Sequence, residues 1–166
     1  MSSNNVWVKL YGENSTVTTS YLKAIGGAYE ALGRIVHYFM DEDEPAMKKN
    51  DTVVIATAID AFKLHLRGFR HIAFWSQGVW PEESFLRHES RLRLTVCDFV
   101  EKKALVWAEK VFLVSNAMLR HYEEKYSIGL AGKSFVTACS NEEIHPNAFA
   151  IEGKYSRPVF TYAGSL

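Results

Sequence analysis

Cysteine is scarce in this 166-residue chain, with two residues, Cys97 and Cys139, far apart and outside any CxxC spacing. That excludes a disulfide framework and reads as reduced, buried thiols in a cytoplasmic protein. Charge of either sign is missing in excess: nineteen basic and nineteen acidic residues cancel. No global field therefore draws the chain to nucleic acid, and none is expected as a partner. No apolar run approaches the ~20 residues of a membrane span. The opening Met-Ser-Ser-Asn-Asn lacks the basic-then-apolar order of a signal peptide. Chemical motifs are missing too. There is no GxGxxG, GxxxxGK[ST], GxSxG or HExxH, and no Cys/His cluster, so no metal site, resident cofactor or covalent nucleophile is expected.

What is present is apolar substance, 48% hydrophobic and 13% aromatic, enough for one packed domain. It is arranged in a repeating order of a short β-branched or aromatic run, a turn, then a segment of helical period. Strands are predicted at residues 6–11, 34–39, 51–57, 71–76, 110–115 and 133–138. Helices are predicted at 16–32, with Val17, Tyr21, Ile25, Ala28 and Leu32 as the buried stripe, and at 59–67 and 116–126. One long helix is predicted from Pro81 to about Ala108, with Phe85, Leu92, Val96, Phe99, Val100, Val106 and Trp107 on one side. A short helix should open after the acidic turn 41–44 and Pro45. The alternation implies βαβ units, hence a doubly wound α/β domain with a mostly parallel, Rossmann-like sheet of about six strands.

In such sheets ligands bind beyond the carboxyl ends of the strands. That rule nominates Gly12 to Ser15, Asp41, Ala58 to Asp60, Ser76 to Val79, Ser115-Asn116 and Cys139 to Asn141. The turn Gly12-Glu13-Asn14-Ser15 lets backbone approach a ligand at Gly12; its other reading is a tight turn with Ser15 or Thr16 as helix cap. The segment from Trp75 to Ser84 sets an amide (Gln77), two carboxylates (Glu82, Glu83) and an indole at the rim of the presumed cleft. Those groups suit a sugar. The other reading is a helix N-terminus with acids placed on its dipole. His37 and His71 fall in strands and read as structural. Arg87, His88, Arg91 and Arg93 form a basic run, read either as a membrane-surface patch or as a solvated helix face diluted by Glu89, Asp98 and Glu101.

At this point the sequence resembles the family 4 (group 1) glycosyltransferases of the GT-B architecture. The segment Gln77-Gly78-Val79-Trp80-Pro81-Glu82-Glu83-Ser84 looks like the QGxxPEES stretch of a bacterial subgroup. Residues 109–115 with Met118 and His121-Tyr122 are similar to the family's strand-serine-helix signature, and the stretch through Asn141 and Phe149 to its interdomain linker. Tyr162-Ala163-Gly164-Ser165-Leu166 looks like the strand that opens the donor-binding domain. The first loop departs, carrying Gly12-Glu13-Asn14-Ser15 where the family has a glycine pair.

The resemblance implies an acceptor-side domain at residues 1–141, a linker at 142–157, and the first strand of a C-terminal donor-binding domain at 158–166. It implies sugar transfer from a nucleotide-sugar co-substrate to a glycan or lipid-linked acceptor, without metal, usually with retention. The domain alone would be inactive, and the whole enzyme cytoplasmic or peripheral to the inner membrane face. Carried over by position, Glu13, Asn14, Gln77, Gly78 and Glu82 would meet the acceptor, with Gly12 and Ser15 facing donor phosphates. No catalytic residue is assigned. The competing expectation is a stand-alone Rossmann- or flavodoxin-like module that binds a nucleotide or sugar without chemistry.

Overall fold

The computed structural model describes residues 3–12, 16–40 and 46–137. Six strands form a single all-parallel sheet in the order β2-β1-β3-β4-β5-β6. They are β1 (Asn5–Lys9), β2 (Ile35–Phe39), β3 (Thr52–Ile55), β4 (Ile72–Ser76), β5 (Lys110–Leu113) and β6 (Ser134–Val136). The helices are α1 (Thr16–Ala31), α2 (Ala58–Leu66), α3 (Trp80–His88), α4 (Arg91–Trp107) and α5 (Asn116–Tyr126). Each parallel pairing needs a crossover, and the apolar side chains decide on which face each crossover packs.

Alternate strand residues sort onto two faces, as the two-residue strand period requires. Val6, Val8, Val54, Ala73 and Trp75 pack beneath Leu22 and Ile25 of α1. Val53, Ile55, Ile72, Phe74, Val111 and Leu113 pack on the other face against α2, α4 and α5. This is the doubly wound, Rossmann-like architecture. The strand order reverses between β1 and β3. The chain leaves β1 toward α1 on one face and β3 toward α2 on the other, which opens a crevice at their carboxyl ends.

Four expectations need correction. The buried stripe of α1 is Leu22, Ile25 and Gly26, whereas Val17 and Leu32 are exposed. Leu22, Ile25 and Tyr29 form an equally good period, and the sheet selected that one. The long helix is broken: Glu89 adopts a left-handed conformation (φ 50°) and Ser90 caps α4 by accepting from the Arg93 amide. Most of its expected buried side is also wrong: Leu92, Val96, Phe99 and Val106 are exposed while Cys97, Glu101, Ala104 and Leu105 are buried, although Val100 does pack against the core. Finally, residues 46–51 form coil and turn, so no helix follows Pro45 there; residues 41–45 lie outside the described residues. The expected linker and final strand, 142–166, lie outside them as well. No described helix is long and apolar enough to cross a membrane.

Candidate functional site

Beyond the carboxyl ends of β1, β3 and β4 lies a cleft of about 580 Å³. Its first wall is a polar cluster built on the end of β1 and the start of α2. Thr57, in extended conformation, caps α2 by accepting from the Asp60 amide, and its hydroxyl donates back to Asp60 Oδ2 at 2.7 Å. The same oxygen accepts from Tyr11 Oη at 2.7 Å and lies 2.9 Å from Lys9 Nζ. Tyr11 Oη in turn accepts from the Ala56 amide. Burial pushes the Asp60 carboxyl upward, but the hydrogen bonds from Thr57, Lys9 and Tyr11 outweigh it and hold Asp60 below the usual carboxylate range. Burial and the Asp60 charge together raise the Tyr11 phenol well above its ordinary value, so it stays a donor.

The second wall is the turn after β4 with the first turn of α3. Gln77 and Gly78 line the cleft beside Trp80 and Glu83. Gln77 is exposed and its carbonyl accepts from Thr18 of α1 at 3.0 Å, tying the turn after β4 to α1. A Cβ at Gly78 would collide with the Glu83 carboxylate, so glycine is what lets that side chain fold over the turn. Tyr122 Oη fixes the turn from below: it donates to the Gly78 carbonyl at 2.7 Å and accepts from Ser76 Oγ at 2.8 Å. One hydroxyl has one proton. Its 3.5 Å approach to Glu101 is therefore contact, not donation.

Glu101 and Phe74 contribute to the floor. Glu101 is 1% exposed. It accepts from the Trp80 amide at 3.2 Å and from Tyr126 Oη at 2.7 Å. Burial disfavours its charged form and pushes its pKa up to about 7, with the Tyr126 hydrogen bond and the Lys125 charge opposing.

Of the residues nominated from sequence, Gln77 and Gly78 come together in the cleft, as do Ala58 to Asp60. Glu82 does not line it: its carboxylate turns to Lys125 at 2.5 Å and toward His121 at 3.5 Å. Gly12 follows Tyr11 in the adjoining loop with φ 57°, a conformation that favours glycine. Glu13, Asn14 and Ser15 lie outside the described residues. Ser115 has a structural job, capping α5 by accepting from the Met118 amide at 3.1 Å. His37 stacks on Trp7, and His71 pairs with Glu109 at 2.6 Å, away from the cleft. Sequence reasoning missed Lys9, Tyr11, Lys63 and Glu101. Only Glu101 carried a signal, since it falls in register with Cys97, Ala104 and Leu105 on α4. Among the described residues no group of three His, Cys, Asp or Glu side chains is placed to hold a metal ion.

The lining mixes fixed acceptors, fixed donors and an indole. That combination hydrogen-bonds a hydroxyl-rich molecule and stacks under its apolar face. No family model matches the sequence, and no curated protein matches it.

Proposed function

We propose that this domain is the acceptor-binding half of a glycosyltransferase, with the cleft holding a sugar hydroxyl for transfer from a nucleotide-sugar. The observation that carries the reading is the cleft at the β1/β3/β4 edge, where Gln77 and Gly78 of the resembling segment meet Asp60, Lys9 and Trp80. The donor would be held by a second lobe, and the chemistry would occur between the two. Glu101 lines the floor of this cleft, and its raised proton affinity would let it exchange a proton with a hydroxyl that reached it.

A second reading is favoured by the strand order. Among the described residues a single strand, β2, lies beyond β1. The order 2-1-3-4-5 is that of flavodoxin-like modules, which bind a nucleotide at this switch point without a partner lobe.

Calorimetric titration separates the two. Short saccharides should saturate the cleft, and Gln77→Ala, at an exposed position, should weaken them by roughly tenfold, the loss of about one good hydrogen bond. Nucleoside diphosphates alone should not bind. Binding of the diphosphate with no response to any saccharide would favour the nucleotide module, and indifference of the Gln77→Ala variant would remove the cleft from the account.

A further inference from the structure

The side of α4 expected to be core is on the outside, and its composition is unusual for a solvated face. Leu92, Val96, Phe99 and Val106 recur with Lys103 at alternating steps of four and three, so they form one stripe. Their exposures are 78%, 54%, 52% and 45%. The stripe continues onto α2 through a ring contact of Phe62 with Phe99 at 6.1 Å, with Leu66 exposed one turn further along α2.

The charges on these elements are sorted. Both acids of α4 turn inward: Asp98 meets Lys125 at 2.7 Å, and Glu101 is buried under Trp80. Asp60, the acid of α2, turns to Lys9 in the cleft. The cations stay out. Arg91 and Lys102 are exposed, and Lys103 lies over the Phe99 and Trp107 rings at 5.6 and 5.5 Å. Arg87 is exposed at the end of α3; of the exposed acids nearby, Glu89 lies beside it in the turn before α4, while Glu83 of α3 folds over the Gly78 turn at the cleft. The chain as a whole is neutral. The cationic face is therefore a segregation of charge on one surface, not a reflection of composition.

We propose that the outer face of α4, continued onto α2 at Phe62 and Leu66, docks on an anionic lipid surface. Apolar side chains in a helical stripe flanked by long cations match an acyl boundary beneath anionic headgroups. A second copy of the chain fits poorly, because it would bring the same cations face to face. The Arg91 end of α4 lies at the carboxyl edge of the sheet, since α4 runs back to the start of β5 in a parallel sheet. The docking face therefore borders the mouth of the cleft. The inference does not depend on what chemistry the cleft performs.

Co-sedimentation of the protein with vesicles tests it. Vesicles of phosphatidylcholine with phosphatidylglycerol should pellet the protein at low salt, with raised salt weakening the effect and phosphatidylcholine alone failing to bind. The double variants Leu92→Glu with Val96→Glu, and Arg91→Glu with Lys102→Glu, should each weaken binding by roughly tenfold or more. All four positions are exposed, so an unchanged circular dichroism spectrum is expected, and salt dependence of the wild type provides an independent check. Failure of the wild type to pellet with the anionic vesicles would overturn the proposal. So would pelleting unaffected by either pair. A concentration-dependent dimer, abolished by Leu92→Glu with Val96→Glu in light scattering, would assign the face to a second copy instead and overturn it too.

Discussion

Glu101 couples the cleft to the stability of the domain. Its carboxyl is raised in the folded chain, so the native state binds its proton more tightly than the unfolded state does. The stability it contributes is complete below its unfolded value of 4.5 and is lost as pH rises through about 7. The full effect is roughly 3 kcal/mol. His65 acts in the opposite sense, because burial and Arg70 lower its pKa and its contribution fades as pH falls. Asp60 and Asp51 are both depressed, so theirs is lost only in acid, below the window that matters. Comparing wild type with Glu101→Gln cancels those shared terms. Urea denaturation between pH 5 and 8 should show wild-type stability declining relative to the variant, with Glu101→Gln the more stable protein at pH 8. A difference independent of pH would mean that the carboxyl is not buried as described.

The break between α3 and α4 shows how an element can be misread while its neighbours are read well. The run from Pro81 to Ala108 has helical period throughout, and a polar Glu-Ser pair is ordinary on a helix surface. Yet Glu89 sits at φ 50° and Ser90 caps the second helix, α4. The two accounts predict opposite signs for Glu89→Gly. In a continuous helix glycine costs about 1 kcal/mol relative to alanine. At a left-handed position it relieves backbone strain of about 1 kcal/mol. The structure therefore predicts a variant of raised thermal midpoint, and a lowered one would restore the single helix. The strands were legible because β3, β4 and β5 are apolar nearly throughout, and α5 because Tyr122 and Tyr126 recur at helical spacing on its buried side; its cap, Ser115, reads in the sequence as a ligand position instead. On α4 the sequence offered two apolar stripes. The wider one, with Phe99 and Val106, lost to the one with small residues, Cys97 and Ala104, that let the helix approach the sheet. The cleft was half legible. The rule of strand carboxyl ends found Gln77, Gly78 and Asp60, but Lys9 and Glu101 come from a strand and the middle of a helix, and only the packing brings them there.

At the scale of the whole molecule, a sheet wound in two directions from β1 and β3 opens a crevice at their carboxyl ends, and a network of polar side chains surrounds it. Lys9, Tyr11 and Thr57 converge on Asp60, while Ser76, Tyr122 and Tyr126 hold the Gly78 turn and Glu101. Those side chains are held by one another before any ligand arrives, which limits the ordering cost of binding. Amide chemical-shift mapping during titration with a short saccharide is the most direct test of the central claim. The account predicts shifts concentrated at Lys9, Tyr11, Gln77, Gly78 and Trp80, with the outer face of α4 silent. Shifts confined to residues away from those five, under saturating saccharide, would contradict it.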